Sequence, residues 1–310
     1  MVEFSPPRLY TSPADLEAMR QVLQAGALAH TDSYYIHTGD LSWWLFYPPI
    51  GHDLFQHTFL WDDPAQPGNC LGWMMVDPTW PSFEVFLQPG LLGTPLAAAM
   101  YQWAETIAIE RSTMAASNPM HKLWVAEKDA FQRAHLESRG FTSASWDTTF
   151  SVDLGQTIPT TKLPLGYTLR ACRGLAEVQA RAAAQYEAFG GTAPMDKYLE
   201  RFSRFMGTPA YAGALDIVAA APEGRIGAFC IAWLDAVTLT GHFEPVGTHP
   251  DFQRQGLGKA VLLYALRQLF AHGMRTATVC TPEHNTPAVA LYLSVGFKPV
   301  KRLGLYEKTV

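Results

Sequence analysis

Gly140-Phe141 recurs as Gly296-Phe297, and Leu71-Gly72-Trp73 is matched by Gly227-Ala228-Phe229, at one offset of 156 residues (296 − 140). A chain that repeats its turn and strand landmarks at a fixed period is built from copies of one unit. The 310 residues give each copy the length of an ordinary domain with its own core. Between the copies runs Gly155–Gly166 (GQTIPTTKLPLG), rich in Gly, Pro and Thr and poor in large apolar residues. That composition suits a connector better than a core element. The expected division is therefore a first domain over 1–154, a linker over 155–165 and a second domain over 166–310.

The second copy reads as β-α-α-β-β-β-α-β-α-β. Helices are expected over Leu175–Phe189, Pro194–Met206, Gly256–Ala271 and Asn285–Val295, the last stopped by Gly296. Strands are expected over Gly166–Cys172, Leu215–Ala221, Ile226–Leu234, Thr238–Thr248, Arg275–Cys280 and Pro299–Lys308. The first copy gives a similar order. It has helices at Pro13–Leu28 behind a Ser12 cap, Thr94–Glu110 and Asp129–Arg139. Its strands are read at Arg8–Tyr10, Ser42–Tyr47, Thr58–Trp61, Leu71–Val76, Phe83–Leu87, Leu123–Ala126 and Thr149–Leu154.

Apolar residues make up 48% of the chain and charged residues 16%, which excludes a disordered chain. The net charge of −5 gives no electrostatic footprint for nucleic acid or an anionic membrane, so neither is an expected partner. An anionic ligand must then be held by a local site. Cys70, Cys172, Cys230 and Cys280 are 102, 58 and 50 residues apart, with no CxxC pair, so they form no cysteine zinc site. Reduced, mostly buried thiols are expected. The start, MVEFSPPRLYTSPADLE, shows neither a basic nor an apolar leader region, and no apolar run reaches the roughly 18 residues of a membrane span. A cytoplasmic protein is the expectation.

The local site is legible in Glu244-Pro-Val-Gly-Thr-His-Pro-Asp-Phe-Gln-Arg-Gln-Gly-Leu-Gly-Lys-Ala260. A strand runs into a turn whose glycines open a long helix. The first N–H groups of a helix lack partners, and its dipole adds partial positive charge there. With glycines that admit a ligand close to the backbone, this is a cradle for a pyrophosphate. It is not a dinucleotide fingerprint, because Val261 stands where the third Gly belongs. It is not a P-loop, because Gln253 replaces the first Gly and Ala260 the Ser or Thr. What remains is Gln253-x-x-Gly256-x-Gly258.

That pattern resembles motif A, (R/Q)xxGx(G/A), of the Gcn5-related N-acetyltransferase (GNAT) superfamily. Asn285-Thr-Pro-Ala288-Val-Ala-Leu291-Tyr292-Leu-Ser-Val-Gly296-Phe297 fits the superfamily's later pattern NxxAxxLYxxxGF at every fixed position. The resemblance covers residues 166–310. It implies an α+β fold of two tandem GNAT-like domains, each a mixed, mostly antiparallel twisted sheet flanked by helices. It also implies acetyl-CoA as cosubstrate, no metal, and direct acetyl transfer to an amine. The acceptor, a small-molecule amine or a peptide, and the assembly, a homodimer among the options, are left open. The alternatives from other classes are a non-catalytic acyl-CoA-binding or sensing protein and a purely structural one.

Residue by residue, the resemblance places the pyrophosphate on Gln253, Arg254, Gln255, Gly256, Leu257, Gly258 and Lys259. It places the pantetheine arm on the backbone of Val246, Gly247 and Thr248, with Asn285 beside it. Tyr292 is expected in a wet cleft as the acid for the departing thiolate. Glu244, or else His242, is expected as the general base; the two are at i and i+2 on one strand. His249 is expected to be a solvated loop residue.

The first copy keeps the layout without this chemistry. Gln88 is followed at +3 by Leu91, Pro89 removes an N–H donor, and Asp129 and Leu136 occupy the positions of Asn285 and Tyr292. It reads as a degenerate GNAT-like copy that walls the acceptor side. Its aromatics, Trp43, Trp44 and Tyr47 among them, are expected in its core, and Asp40 as a turn residue.

Overall fold

The computed structural model describes residues 6–66, 68–114 and 118–309, so the first five residues of the leader reading lie outside the described residues. In chain order the elements are β1 (Arg8–Leu9), α1 (Pro13–Leu28), α2 (Thr38–Phe46), β2 (Thr58–Asp62), β3 (Cys70–Val76), β4 (Phe83–Leu87), α3 (Pro95–Arg111), β5 (Met120–Ala126), α4 (Ala130–Ser138) and β6 (Thr142–Asp153). They continue as β7 (Thr168–Ala171), α5 (Val178–Ala188), α6 (Met195–Met206), β8 (Asp216–Ala220), β9 (Ile226–Asp235), β10 (Thr240–Thr248), α7 (Leu257–Ala271), β11 (Thr276–Pro282), α8 (Thr286–Val295) and β12 (Lys298–Lys308). Among the described residues, no helix is long and apolar enough to cross a membrane.

The chain forms two compact units that differ from the sequence division. Unit 1 is Gly51–Thr148 with the residues before Ser42 and after Val300; unit 2 is Ser42–Ile50 with Thr149–Val300. The last strand was expected to close the second domain. Instead its residues Leu303–Lys308 pair antiparallel with Ala126–Met120 of β5 inside unit 1. The end of β6 goes the other way: Leu154 donates its amide to the Arg275 carbonyl inside unit 2 (2.9 Å). Strand propensity is a local property, whereas the sheet a strand joins is a long-range choice that no local pattern encodes.

Unit 1 contains the antiparallel sheet β1-β2-β3-β4. One face packs against α3, with Met74, Val85, Met100, Tyr101 and Phe141 in the core. Ser12 caps α1 as expected, with the Asp15 carboxylate accepting the Ser12 amide (3.2 Å).

Unit 2 has strand order β7-β8-β9-β10-β11, followed by β6. β10 and β11 run parallel; β7, β8, β9 and β10 pair antiparallel in succession. Strand β9 shows how one strand serves two cores. Ala228, Cys230 and Ala232 face the core under α7 and α8, while Phe229, Ile231 and Trp233 face the core under α5 and α6. Helix α6 buries Tyr198, Phe202, Phe205 and Met206, one stripe at helical spacing. The connector keeps an irregular path over 156–164, fastened where the Arg267 guanidinium donates to the Pro159 carbonyl.

Of Ser42–Tyr47, expected as a strand, all but Tyr47 form the end of helix α2, and Tyr47 follows it directly. A short continuous apolar run has no period to distinguish strand from helix. The start decides it: the Asp40 carboxylate accepts the His37 amide (3.0 Å), a capping arrangement rather than a strand turn. Trp43 and Tyr47 then stack at 4.2 Å with i, i+4 spacing. Within unit 2 they pack against Phe202 and Phe205 rather than in the first copy's core.

Candidate active site

Helix α7 begins at Gly256, whose φ of +78° is the left-handed conformation that suits glycine. No side chain caps it, and the first helical bond runs from Ala260 back to Gly256. The amides of Leu257, Gly258 and Lys259 therefore lie ahead of the helix's own ladder. The loop before it is shaped by a Pro250–Phe252 turn. His249 fastens that turn by accepting the Asp251 amide on Nδ1 (3.1 Å), so His249 is a capping residue rather than a solvated one. Arg254 is also left-handed, with φ of 62°. A Cβ on Gly256 would meet nothing within 4 Å, so the space in front of this helix end is open.

That space is a cleft of about 540 Å³. One wall is Val246, Gly247 and Thr248 of β10. The floor is Gln253, Arg254, Gly256, Leu257, Gly258 and Lys259. The far wall is Asn285, Pro287, Ala288, Leu291 and Tyr292 of α8, and Ala188, Phe189 and Phe252 complete the rim. The walls are close together. A Cβ on Gly258 would stand 3.0 Å from the Thr248 hydroxyl oxygen.

Strand β10 is shaped for the same space. Its parallel ladder with β11 ends at His242↔Thr278. Its antiparallel ladder with β9 is irregular between Phe243 and Val246, then resumes as Val246↔Cys230, Gly247↔Phe229 and Thr248↔Ala228. Beyond His242 the strand thus has a ladder partner on the β9 side only, and its other edge turns backbone groups toward the cleft. The strand is thus bulged against β9 and parted from β11 just before the glycine loop.

Tyr292 lines the cleft, yet its side chain is buried, 5% exposed, with its ring near Phe150 (5.9 Å) and Phe297 (6.1 Å). The expected wet setting is thus a largely dry one. The hydroxyl has no hydrogen-bond partner among the described residues. Burial, then the Glu244 charge, push the phenol well above the usual tyrosine range, so it stays a neutral O–H donor. Asn285 caps α8 by accepting the Ala288 amide (3.3 Å) and donates Nδ2 to the Thr281 hydroxyl (3.3 Å).

Of the other expected residues, three do not line the cleft. Gln255 turns to Tyr167, whose hydroxyl donates to Oε1 (3.2 Å). His242 is buried, its Nδ1 2.8 Å from the Thr278 hydroxyl. That hydroxyl donates to the Gly241 carbonyl (3.3 Å), so Nδ1–H is the donor in the His242 pair. Glu244 is half-buried at the bulge and near enough to Tyr292 to raise its pKa. Sequence reasoning missed Ala188 and Phe189, because they come from the end of α5, far from both motifs. No group of His, Cys, Asp and Glu suited to a metal ion occurs among the described residues.

The corresponding helix heads of unit 1 are capped by side chains. Helix α3 is capped by Thr94, which accepts the Ala97 amide (3.2 Å), and Pro89–Leu91 form a tight turn before it. Asp129 caps α4 and accepts the Ser33 hydroxyl, while Leu136 is core.

Residues 177–297 match the model of a family described as Acetyltransferase (GNAT) family. Over 77 residues the chain is 38% identical to the [Ribosomal protein bS18]-alanine N-acetyltransferase of Escherichia coli (strain K12), covering 24% of this chain and 49% of that protein. Over 61 residues it is 39% identical to the mycothiol acetyltransferase of Saccharomonospora viridis, covering 20% of each. The chain therefore spans about half the length of the first relative and a fifth of the second. Among solved structures, a tandem GNAT protein from the clavulanic acid biosynthesis pathway superposes with a TM-score of 0.72 at 15% identity, over 98% of this chain and 97% of that one. A GCN5-related N-acetyltransferase from Sphaerobacter thermophilus superposes with 0.67 at 22% identity, over 97% and 94%.

Proposed function

We propose, for a chain whose residues 177–297 belong to the acetyltransferase (GNAT) family, that unit 2 transfers an acetyl group from acetyl-CoA directly to an amine. The observation that carries this is the uncapped, glycine-started head of α7 opening on the cleft that Tyr292 also lines. The residues fit the ligand: an uncapped helix head with open space before it suits a pyrophosphate, and the one-sided edge of β10 suits the amides of a pantetheine arm. In this reading Gln253, Arg254, Gly256, Leu257, Gly258 and Lys259 hold the phosphates. Val246, Gly247 and Thr248 hold the arm and polarise the thioester carbonyl. Asn285 keeps α8 in register beside it.

The thioester supplies an activated acyl group with a thiolate leaving group. An alkyl amine is mostly protonated at neutral pH, so a base must release its lone pair. Glu244 takes that role, with His242 second, directly or through water. The raised pKa of Tyr292 makes it a poor donor of a whole proton to a thiolate and a good donor of a hydrogen bond to the sulfur as charge develops. The proton that finally neutralises the thiolate then comes from the amine side. The relatives are named for an alanine of ribosomal protein bS18 and for mycothiol, and the acceptor here falls in the same broad range of small-molecule or peptide amines.

A screen of amines and N-terminal peptides, following free CoA thiol from acetyl-CoA, tests the reading. Amine-dependent thiol release is expected. Absence of thiol release with every acceptor in the screen, despite measured acetyl-CoA binding, would contradict catalysis.

A further inference from the structure

The interrupted part of β10 is held by a side chain from the neighbouring strand. The β9–β10 ladder runs to Phe243↔Ala232 and resumes at Val246↔Cys230, so Ile231 alone stands opposite two residues, Glu244 and Pro245. Pro245 has no N–H to give, and an extra residue in a bulge leaves backbone groups without their ladder partners. The Glu244 carbonyl is nevertheless served: the Trp233 indole donates Nε1–H to it at 2.6 Å. Trp233 sits on β9 opposite His242, is 7% exposed, and belongs to the core under α5 and α6, near Phe205 (6.4 Å). Its ring is therefore immobilised by packing, and its N–H is a fixed anchor.

We infer that Trp233 is a positioning residue that sets the direction of the Glu244 side chain through the Glu244 carbonyl. The carbonyl and the side chain leave neighbouring atoms of one residue, so anchoring the first restricts the second. Without the indole N–H the bulge keeps its place in the sheet but loses its rotational anchor. The effect falls on the acceptor side, because the cleft walls at Gly247 and Thr248 are fixed separately by the resumed ladder. The inference rests on Glu244 acting as the base.

The test is a double-mutant cycle on an accepted amine, with acetyl-CoA binding measured by calorimetry. Trp233→Phe keeps most of the packing and removes the donor. It should lower kcat on the order of 10-fold or more, the scale of loss when a reacting group is misplaced, with unchanged acetyl-CoA affinity. Glu244→Gln should lower kcat by itself, and adding Trp233→Phe to it should cost nothing further. Losses that multiply in the double variant, or a Trp233→Phe enzyme as fast as wild type, would overturn the inference. A Glu244→Gln enzyme with wild-type kcat would instead overturn the reading of Glu244 as base. A second readout needs no folded Phe variant: in 15N-tryptophan-labelled protein, the Trp233 indole N–H, assigned through Trp233→Tyr, should exchange slowly with solvent. Exchange as fast as that of an exposed indole such as Trp80, 46% exposed, would overturn the anchor.

Discussion

The Thr94 hydroxyl accepts the Ala97 amide at the head of α3, while the equivalent head of α7, at Gly256, has no side-chain cap. A capped helix end has spent a donor that an anion would need. The two copies therefore differ at this helix end in a way visible in one residue each, and on the proposed reading only unit 2 binds. One acetyl-CoA per chain is expected, and calorimetry on monodisperse protein should return a stoichiometry of one. A value of two would show that unit 1 binds as well.

Gly256 separates charge from backbone strain. Gly256→Asn and Gly256→Asp share shape, and Asn tolerates the left-handed conformation at φ +78°. In wild type, acetyl-CoA at 100 times its dissociation constant should add about 2.7 kcal/mol of stability. The Asn variant should keep part of that shift and the Asp variant should lose it, because a carboxylate then occupies the phosphate position. Equal thermal shifts for the two would mean that the phosphates do not sit there.

Tyr292→Phe should slow the chemical step by about 10²-fold, the low end of the loss when one hydrogen-bond donor to a developing charge is removed, with little change in affinity. The ring contacts with Phe150 and Phe297 survive in the variant, so its fold should hold. The pH dependence has a definite sign. An unfolded tyrosine ionises near pH 10, and in the fold Tyr292 stays protonated beyond that point. Its stabilising contribution is complete below pH 10 and is lost as pH rises through its folded value. Single-turnover rates should accordingly show no loss from Tyr292 ionisation below about pH 10. An alkaline limb near pH 9 that vanishes in Tyr292→Phe would contradict this.

Arg181 and Asp216 form a fully buried ion pair at 2.8 Å, with Tyr211 donating to the carboxylate (3.0 Å) and the guanidinium lying over Phe229 (4.0 Å). Asp216→Asn leaves the arginine charge buried without compensation. Urea unfolding should show a loss of about 3–5 kcal/mol, the usual cost of breaking such a pair from one side. A loss under about 1 kcal/mol, the range of exposed pairs, would mean that water reaches the arginine.

Most of the cleft lining was legible because the signals for it are local. Gln253 to Gly258 is a contiguous turn whose glycines and helix start carry meaning within a few residues, and Asn285 to Phe297 is one helix with its stop at Gly296, φ +106°. What escaped was assembled at long range. Phe189 reaches the cleft from α5, and Trp233 acts from the neighbouring strand, across a ladder that residue spacing does not reveal. The same cause hid the exchange of strand ends at β6 and β12. Ser42–Tyr47 failed for a different reason: its apolar run lacks a period, and the signal that it is helical lay upstream in His37 and Asp40.

The central claim is that the cleft of unit 2 passes an acetyl group straight from its thioester to an amine. Protein mixed with acetyl-CoA labelled in the acetyl group, quenched before and after addition of an accepted amine, tests it most directly. No label should appear on the protein before the amine is added, and label should then appear on the amine at the rate of thiol release. Acetylated protein that forms without the amine and then decays into product would contradict it.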